Sequence, residues 1–197
     1  TARLLDERTE NLEAVLHWRL DGPDTFASTN LLDDGAHGDG VASDGRFGAV
    51  LPPQPHGTLI EFYLTARDAG GPLRTYPNVE PSGGPRTANL IYQVDDAVYE
   101  GDQPIFRLLM TQAEYDYLSK QIWRGEPNSD ATVSGTFINT DGVLDGGVTT
   151  QWRHLCDLRN RGHGTRTANP HNFHVGFTKD NLWKGRAGLN LNTHYTH

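Results

Sequence analysis

Four aspartates and four glycines lie within one short stretch of the sequence, between residues 33 and 45. The glycines permit sharp turns, and the carboxylates bring several oxygen ligands close together along the chain. Hard cations such as calcium need several oxygen ligands that converge on one point. The stretch therefore predicts a calcium site, although its spacing is not that of an EF-hand loop. The predicted ligands are Asp33, Asp34, Asp39 and Asp44.

The same aspartates have a second interpretation. Asp side chains in Asp-Gly loops also accept hydrogen bonds from nearby backbone N–H groups. In that case the carboxylates cap the turns of the loop and hold no ion. Because Asp-Gly pairs are common in loops, the sequence leaves both interpretations open.

A second candidate site is the basic, glycine-containing stretch 161–166. Glycine lets backbone N–H groups approach phosphate oxygens, and guanidinium groups match phosphate in a bidentate manner. The alternative is a solvated hairpin tip, or an arginine that pairs with a carboxylate of the same chain. The residues predicted to bind a nucleotide are Arg161, Gly162, Gly164 and Arg166.

Clustered histidines suggest a zinc site, because imidazole is a common zinc ligand. They form two pairs with i, i+3 spacing. In a strand, residues with this spacing point to opposite faces, and no H-E-x-x-H helix is present in the sequence. Histidines that face solvent or hydrogen-bond are therefore the favoured interpretation. The pairs are His171 with His174 and His194 with His197.

Cys156 lies beside His154 in a strand pattern, as a nucleophile and its base would. A lone cysteine in an apolar strand is more often a small core residue. Tryptophan rings stack on sugars as well as pack in cores. Trp18 and Trp152 lie in strand patterns, which favours core packing, whereas Trp183 lies in a polar loop and keeps both interpretations.

The composition of the 197-residue chain is typical of loop-rich and strand-rich proteins, with 22 glycines, 11 prolines and a single methionine. The net charge of -8 argues against nucleic acid as a partner, because a polyanion rewards a basic surface. No apolar stretch approaches the roughly 20 residues that cross a bilayer, so no membrane insertion is expected. A single cysteine excludes an internal disulfide.

The elements that must position these side chains are mostly strands. Alternating apolar and polar residues predict strands at 13–20 and 58–68, with a shorter one at 46–51. Short strands separated by turn clusters predict a β-sandwich module over residues 1–70. Residues 71–88 are rich in glycine and proline, which is typical of a linker.

After this linker, residues 89–197 predict an α+β region. A T-x-x-E capping box from Thr111 to Glu114 marks the start of the one confident helix. An Asp141-Gly142 turn predicts a hairpin between two of the strands. The strand candidates are 89–94, 105–110, 131–140, 148–158, 172–177 and 189–191. The whole chain is thus expected to be mainly β with minor α.

The stretch 15–68, with the three residues that follow it, carries the segments LHWRLDG, LLDDGAHGDGVASDGRFGAVLP and GTLIEFYLTARDAGG. This stretch resembles the immunoglobulin-like or fibronectin-like modules of bacterial surface proteins. The resemblance implies an Ig-like sandwich and an extracellular or cell-surface location. Such modules begin with a strand ahead of the position of Thr1, so an open strand edge is expected here.

Three stretches of the second region are similar to the CotH-like family of spore-coat kinases: PIFRLLMTQAEYDYL (104–118), GTFIN (135–139), and RNRGHGTR (159–166) followed by NFHVGF (172–177). The resemblance implies that residues 89–197 form the amino-terminal part of a kinase-like domain. It places the Arg-Gly loop near the phosphates of Mg-ATP. The acidic residues that hold magnesium are then expected beyond His197.

Two functional hypotheses follow. In the first, the chain is a fragment that acts as a structural or adhesive extracellular module, including as a filament subunit, and associates with protein partners or with itself through an open strand edge. In the second, the parent protein is an ATP-dependent atypical kinase of surface or coat proteins. The first is expected for the chain itself, because phosphoryl transfer needs the carboxylates of the other lobe.

Overall fold

Strands form most of the regular structure, as the alternating sequence patterns predict. The computed structural model describes residues 1–5, 12–22, 25–77, 88–123, 130–142, 148–162 and 171–192. Within these residues it contains twelve strands and one helix, so the prediction of a mainly β chain with minor α is confirmed. The contacts divide the chain into two units, Thr1–Asn89 and Leu90–His197.

The first unit, in its described part, contains only strands: β1 (Ala2–Arg3), β2 (Glu13–Leu20), β3 (Ala27–Leu31), β4 (Arg46–Phe47), β5 (Leu59–Arg67) and β6 (Arg74–Tyr76). Its main sheet is antiparallel with the order β3-β2-β5-β6, and β1 pairs with β4 in a two-stranded ladder. β2 and β5 pair along eight residues, from Glu13 opposite Arg67 to Leu20 opposite Ile60. This long pairing makes β2 and β5 the centre of the sheet.

Alternation along the central strands directs one face of the sheet into a hydrophobic core. Ala14 and Leu16 of β2 are buried there with Leu31 at the end of β3 and Phe47 of β4. Full burial of a side chain of the size of leucine or phenylalanine contributes about 1.5 to 3 kcal/mol to folding. Because Leu31 and Phe47 are both in this core, the two ends of the loop between β3 and β4 are anchored.

The second unit, in its described part, contains β7 (Leu90–Gln93), β8 (Ile105–Leu109), α1 (Gln112–Trp123), β9 (Val133–Thr140), β10 (Thr150–Asn160), β11 (Phe173–Gly176) and β12 (Gly188–Leu191). β8 to β12 form one antiparallel sheet whose strand order follows the chain, with α1 inserted between β8 and β9. Among the described residues, no helix has both the length and the apolar character needed to cross a membrane.

The predicted capping box at the start of α1 is confirmed. The side chain of Glu114 accepts a hydrogen bond from the Thr111 backbone N–H at 2.8 Å, and the Thr111 hydroxyl oxygen accepts one from the Glu114 backbone N–H at 3.2 Å. Two backbone donors that a helix start leaves unpaired are thereby satisfied. Leu118 on the same helix is buried.

One hydrophobic core of the second unit lies on one face of its sheet. Partly buried side chains, among them Leu108, Leu189 and Trp183, pack against it. Gly135 of β9 is required for this packing, because a Cβ there would overlap with the Leu158 side chain and the Leu109 carbonyl oxygen. The buried residues of this core are Phe137, Cys156, Leu158, Val175 and Phe177.

Several strands differ from the sequence expectations. β1, β3 and β6 are present although no alternation predicts them, and the strand expected at 46–51 is reduced to Arg46–Phe47. β6 lies within the stretch 71–88 and pairs with β5, with Thr75 opposite Thr65. These short or polar strands form because a neighbouring strand offers unpaired backbone groups, which a local pattern does not report.

Candidate functional site

The acidic loop, residues 33–45, is closed at its base by two backbone hydrogen bonds. Leu32 and Gly48 exchange N–H to carbonyl bonds of 2.8 Å each. The loop then folds back onto this base, since a Cβ at Gly48 would overlap with the His37 carbonyl oxygen. Glycine at position 48 is therefore a requirement of close backbone packing rather than of backbone flexibility.

Asp39 is the internal anchor of the acidic loop. Its side chain is fully buried, and its two carboxylate oxygens accept hydrogen bonds from the backbone N–H groups of Gly35 at 2.7 Å and His37 at 2.9 Å. The hydrogen bond from Gly35, helped by other backbone N–H groups, holds the pKa of Asp39 below its usual value against the opposing effect of desolvation. A buried, ionised carboxylate thus organises the turn.

The three other predicted calcium ligands also bond to backbone N–H groups. Asp33 accepts from Asp44 at 3.2 Å and from Gly45 at 2.9 Å, and so bridges the two ends of the loop. The carboxylate of Asp44 accepts from the backbone of Arg46 at 2.8 Å. The carboxylate of Asp34 accepts from the backbone of Ala36 at 2.9 Å.

Asp34 also pairs with the imidazole of His37, whose Nδ1 lies 2.9 Å from the carboxylate. This hydrogen bond lowers the pKa of Asp34 and raises the pKa of His37. Both side chains are substantially exposed, so the pair is a surface feature of the loop.

This geometry favours turn capping over calcium for the acidic loop. Each of the four carboxylates accepts a backbone hydrogen bond, as a capping aspartate does. Throughout the described ranges, no group of three or more His, Cys, Asp or Glu side chains is arranged to hold a metal ion. Calcium at Asp33, Asp34, Asp39 and Asp44 stays a prediction.

Arg161 and Gly162 of the second candidate site follow directly after β10, whereas Gly164 and Arg166 lie outside the described residues. The backbone N–H of Arg161 donates to the Asn172 carbonyl at 2.9 Å, and its guanidinium donates to the side chain of Asn192. Gly162 has a φ of 114°, which a residue with a side chain rarely adopts. The sequence therefore places a glycine where the chain must leave the strand.

Two further polar side chains, which the sequence did not predict as nucleotide ligands, lie in the strands beside Arg161. Arg159 pairs across the sheet with His174, and His174 pairs with Asn190. The guanidinium of Arg159 donates to Asp130 at 3.0 Å, and Nδ1 of His174 lies 2.7 Å from the side-chain oxygen of Asn190. The i, i+2 spacing of the two arginines is the sequence signal that predicts a shared face. We call Arg159, Arg161, His174, Asn190 and Asn192 the basic surface.

Cys156 is a core residue. Its side chain is 1% exposed, its thiol donates to the Arg153 carbonyl at 3.2 Å, and burial raises its pKa to about 11. A thiol in this state is protonated at neutral pH and does not act as a nucleophile. His154 lies 3.0 Å from the Thr136 hydroxyl, and burial lowers the pKa of this histidine.

The tryptophans do not all follow the prediction of core packing, because Trp152 lies in a strand but is exposed. Trp18 packs against the core of the first unit, and Trp152 is 39% exposed. Trp183 packs against Phe137 and Phe106 with ring centroids 6.0 and 5.6 Å away, so its ring is part of the second core. Of the two interpretations left open for Trp183, core packing is the one that its contacts support.

A cavity of about 630 Å³ opens beside the acidic loop, and no sequence pattern predicted it. Its floor is apolar and its rim carries two of the loop carboxylates. The apolar side chains at its edge, Leu4, Leu5 and Leu12, gave no local signal because they flank no motif. The lining is formed by Leu4, Leu5, Leu12, Leu31, Leu32, Asp33, Ser43, Asp44, Gly45 and Phe47.

Comparison of the chain with protein-family models, with curated proteins and with solved structures finds no match.

Proposed function

We propose that this chain is a structural or adhesive module of an extracellular or cell-surface protein, built from an Ig-like module followed by the amino-terminal part of a CotH-like domain. Strand-edge pairing with a protein partner or with another copy is the activity proposed for it. The assignment to the cell surface rests on the resemblance of residues 15–68 to modules of bacterial surface proteins.

The open edge of β3 is the observation that carries this proposal. In the described part of the chain β3 pairs with β2 and with no other strand. Its residues Ala27, Ser28 and Asn30 are exposed, and the strand contains no Lys and no Pro. Natural edge strands usually carry such residues to prevent pairing with another chain. An edge without them is competent to accept a further strand.

Substitution of Asn30 by lysine tests the edge directly. A charge on an edge strand opposes the approach of a second strand, so Asn30→Lys should weaken concentration-dependent association in sedimentation velocity. Gln103→Lys adds the same charge at an exposed position outside the strands and should leave the association unchanged. A native chain that stays monomeric and binds no strand-forming peptide would overturn the proposal.

The second candidate function is nucleotide binding by the parent protein as a CotH-like kinase. The observation that favours it is the position of Arg161 and Gly162 at the end of β10, next to Arg159 and His174. Guanidinium groups close to a glycine backbone N–H group are suited to phosphate.

Thermal unfolding with and without Mg-ATP tests this second function. A ligand at 100 times its dissociation constant adds about 2.7 kcal/mol to stability, which shifts the midpoint by several degrees. Arg161→Ala should remove that shift, and Arg67→Ala, an exposed arginine of the first unit, should retain it. No shift in the native chain would reject nucleotide binding by this chain.

A further inference from the structure

The cavity beside the acidic loop combines an apolar floor with an acidic rim. Leu31 and Phe47 on its floor are buried, while Leu5 and Leu32 at its edge are 81% and 41% exposed. A volume of about 630 Å³ lies in the range of sites that enclose a ligand or several side chains. Apolar surface of this kind gains from an apolar occupant.

The rim of this cavity carries the carboxylates of Asp33 and Asp44. Both use backbone N–H donors to hold the loop, but an ionised carboxylate has about four acceptor positions. Acceptor capacity therefore remains for a cation at the rim. The occupant that fits is an apolar side chain flanked by Lys or Arg.

A hairpin in the second unit presents this chemistry. Trp183 and Arg186 exchange backbone hydrogen bonds of 3.1 and 2.8 Å, and φ is 47° at Lys184 and 74° at Gly185, as in a type I′ turn. The ring of Trp183 packs in the second core and so holds the turn in place. We call residues 182–186 the basic hairpin.

The basic hairpin exposes one apolar side chain and two cations. Leu182 is 37% exposed, and Lys184 and Arg186 are exposed at the tip. Among the described residues, neither cation has a carboxylate within ion-pair distance, although Lys184 is near enough to Asp141 to help lower the pKa of that carboxyl. The ammonium of Lys184 also lies 5.4 Å from the ring centroid of Trp183. In a chain of net charge -8, an exposed cationic tip with an apolar neighbour is complementary to the acidic cavity.

We propose that the acidic cavity of one copy binds the basic hairpin of a second copy. This inference rests on the proposed self-association and specifies a contact for it beyond the β3 edge. Leu182 contacts the apolar floor, and Lys184 and Arg186 pair with Asp33 and Asp44. Because the two surfaces differ, the contact is heterologous, and repetition of it gives an open filament or a ring.

Two variants, each lacking one surface, test the contact by sedimentation velocity. Lys184→Ala with Arg186→Ala removes the cations, and Asp33→Asn with Asp44→Asn removes the rim charges while keeping an acceptor oxygen at each position. Each double variant should self-associate about tenfold more weakly than the native chain. An equimolar mixture should form a heterodimer through this contact with native affinity. The contact itself should add no third copy, since only one intact cavity and one intact hairpin remain.

Matched controls change the same charges elsewhere. Glu100→Gln with Asp102→Asn, and Arg67→Ala with Lys120→Ala, should associate as the native chain does. If the variant Asp33→Asn with Asp44→Asn does not fold, Leu32→Ser takes its place in the mixture, because this substitution removes an apolar edge of the cavity.

The outcomes separate this contact from the broader proposal. A mixture that forms the heterodimer supports the contact. If both double variants associate as strongly as the native chain, the contact is overturned, and association through the β3 edge is unaffected. A native chain that stays monomeric at every concentration overturns the contact. The proposed function is overturned as well only if that chain also binds no strand-forming peptide.

Discussion

The acidic loop of the first unit and the basic surface of the second both concentrate polar side chains near strand ends, but they use them differently. In the acidic loop, carboxylates bond to backbone N–H groups of the same loop, and Asp39 is fully buried. On the basic surface, Arg159 and Arg161 bond to other side chains, Asp130 and Asn192. Charge in the first region shapes the backbone, whereas charge in the second lies on a backbone that the sheet already fixes.

This difference has an energetic consequence. A buried carboxylate that loses its backbone donors leaves those N–H groups without partners, which is costly. An exposed guanidinium that loses its side-chain partner is solvated by water instead, so little stability is lost. Charged side chains in the two regions therefore have different roles, and their hydrogen-bond partners decide which role each has.

Substitution of Asp39 by asparagine should have the largest effect. The side chain keeps its shape, but its new amide donors would face the Gly35 or His37 N–H group. We expect the melting midpoint of the chain to fall by roughly 5 to 10 °C. Asp34→Asn, at an exposed position of the same loop, should lower it much less. Equal effects of the two variants in differential scanning calorimetry would show that Asp39 is not an anchor.

Removal of the His37 imidazole should have a smaller effect that depends on pH. Pairing raises the pKa of His37, so its contribution is fully present below the unfolded value of about 6.5 and is lost as pH rises through the folded value. Pairing lowers the pKa of Asp34, so its contribution is present above about 3.9 and is lost as pH falls through the folded value. The pair therefore stabilises the loop most between about pH 4 and 6.5.

We expect His37→Asn to lower the midpoint by roughly 2 °C at pH 5.5 and to match the native chain at pH 9. Thermal melts at several pH values measure this difference. A difference that grows toward alkaline pH would have the wrong sign and would exclude the pairing.

Substitution of Arg159 by alanine should change stability least among the side chains compared. Its partner Asp130 is 76% exposed, so solvent screens the pair. The free energy of unfolding in urea should change by about 0.5 kcal/mol or less. A loss of several kcal/mol would place the basic surface in the same class as the acidic loop.

Calcium should leave the midpoint unchanged if the aspartates cap turns as the geometry favours. Melts in excess calcium and in a chelator compare the two states, with magnesium as a control for general charge screening. A midpoint that rises with calcium but not with magnesium would show that the acidic loop holds an ion. The aspartates would then both cap turns and bind calcium.

Local patterns were sufficient for the long strands and for the helix start. β2 and β5 were predicted from alternation, since each buries one face, and the capping box from Thr111 to Glu114 was predicted because its partners are three residues apart. The acidic loop was also recognised as a site of dense turns. β3 was not predicted, because its sequence Ala-Ser-Thr-Asn-Leu is polar and forms a strand only against β2.

The candidate sites, like the strands, could be predicted only in part from local sequence patterns. Aspartates and glycines at 33–45 specify a tight acidic loop, but both calcium binding and turn capping need that composition. The choice depends on where Gly35 and His37 direct their N–H groups, and in the structure both point at the Asp39 carboxylate. The cavity, likewise, is lined by residues from separate segments between positions 4 and 47.

Residue types and their short-range spacing thus decided the strand-rich class, the helix cap and the acidic loop, because periodicity and capping act within a few positions of the chain. Packing between distant segments decided the edge strand, the partner of each carboxylate and the cavity. These features depend on hydrogen bonds and burial between residues far apart in sequence, which no local pattern encodes.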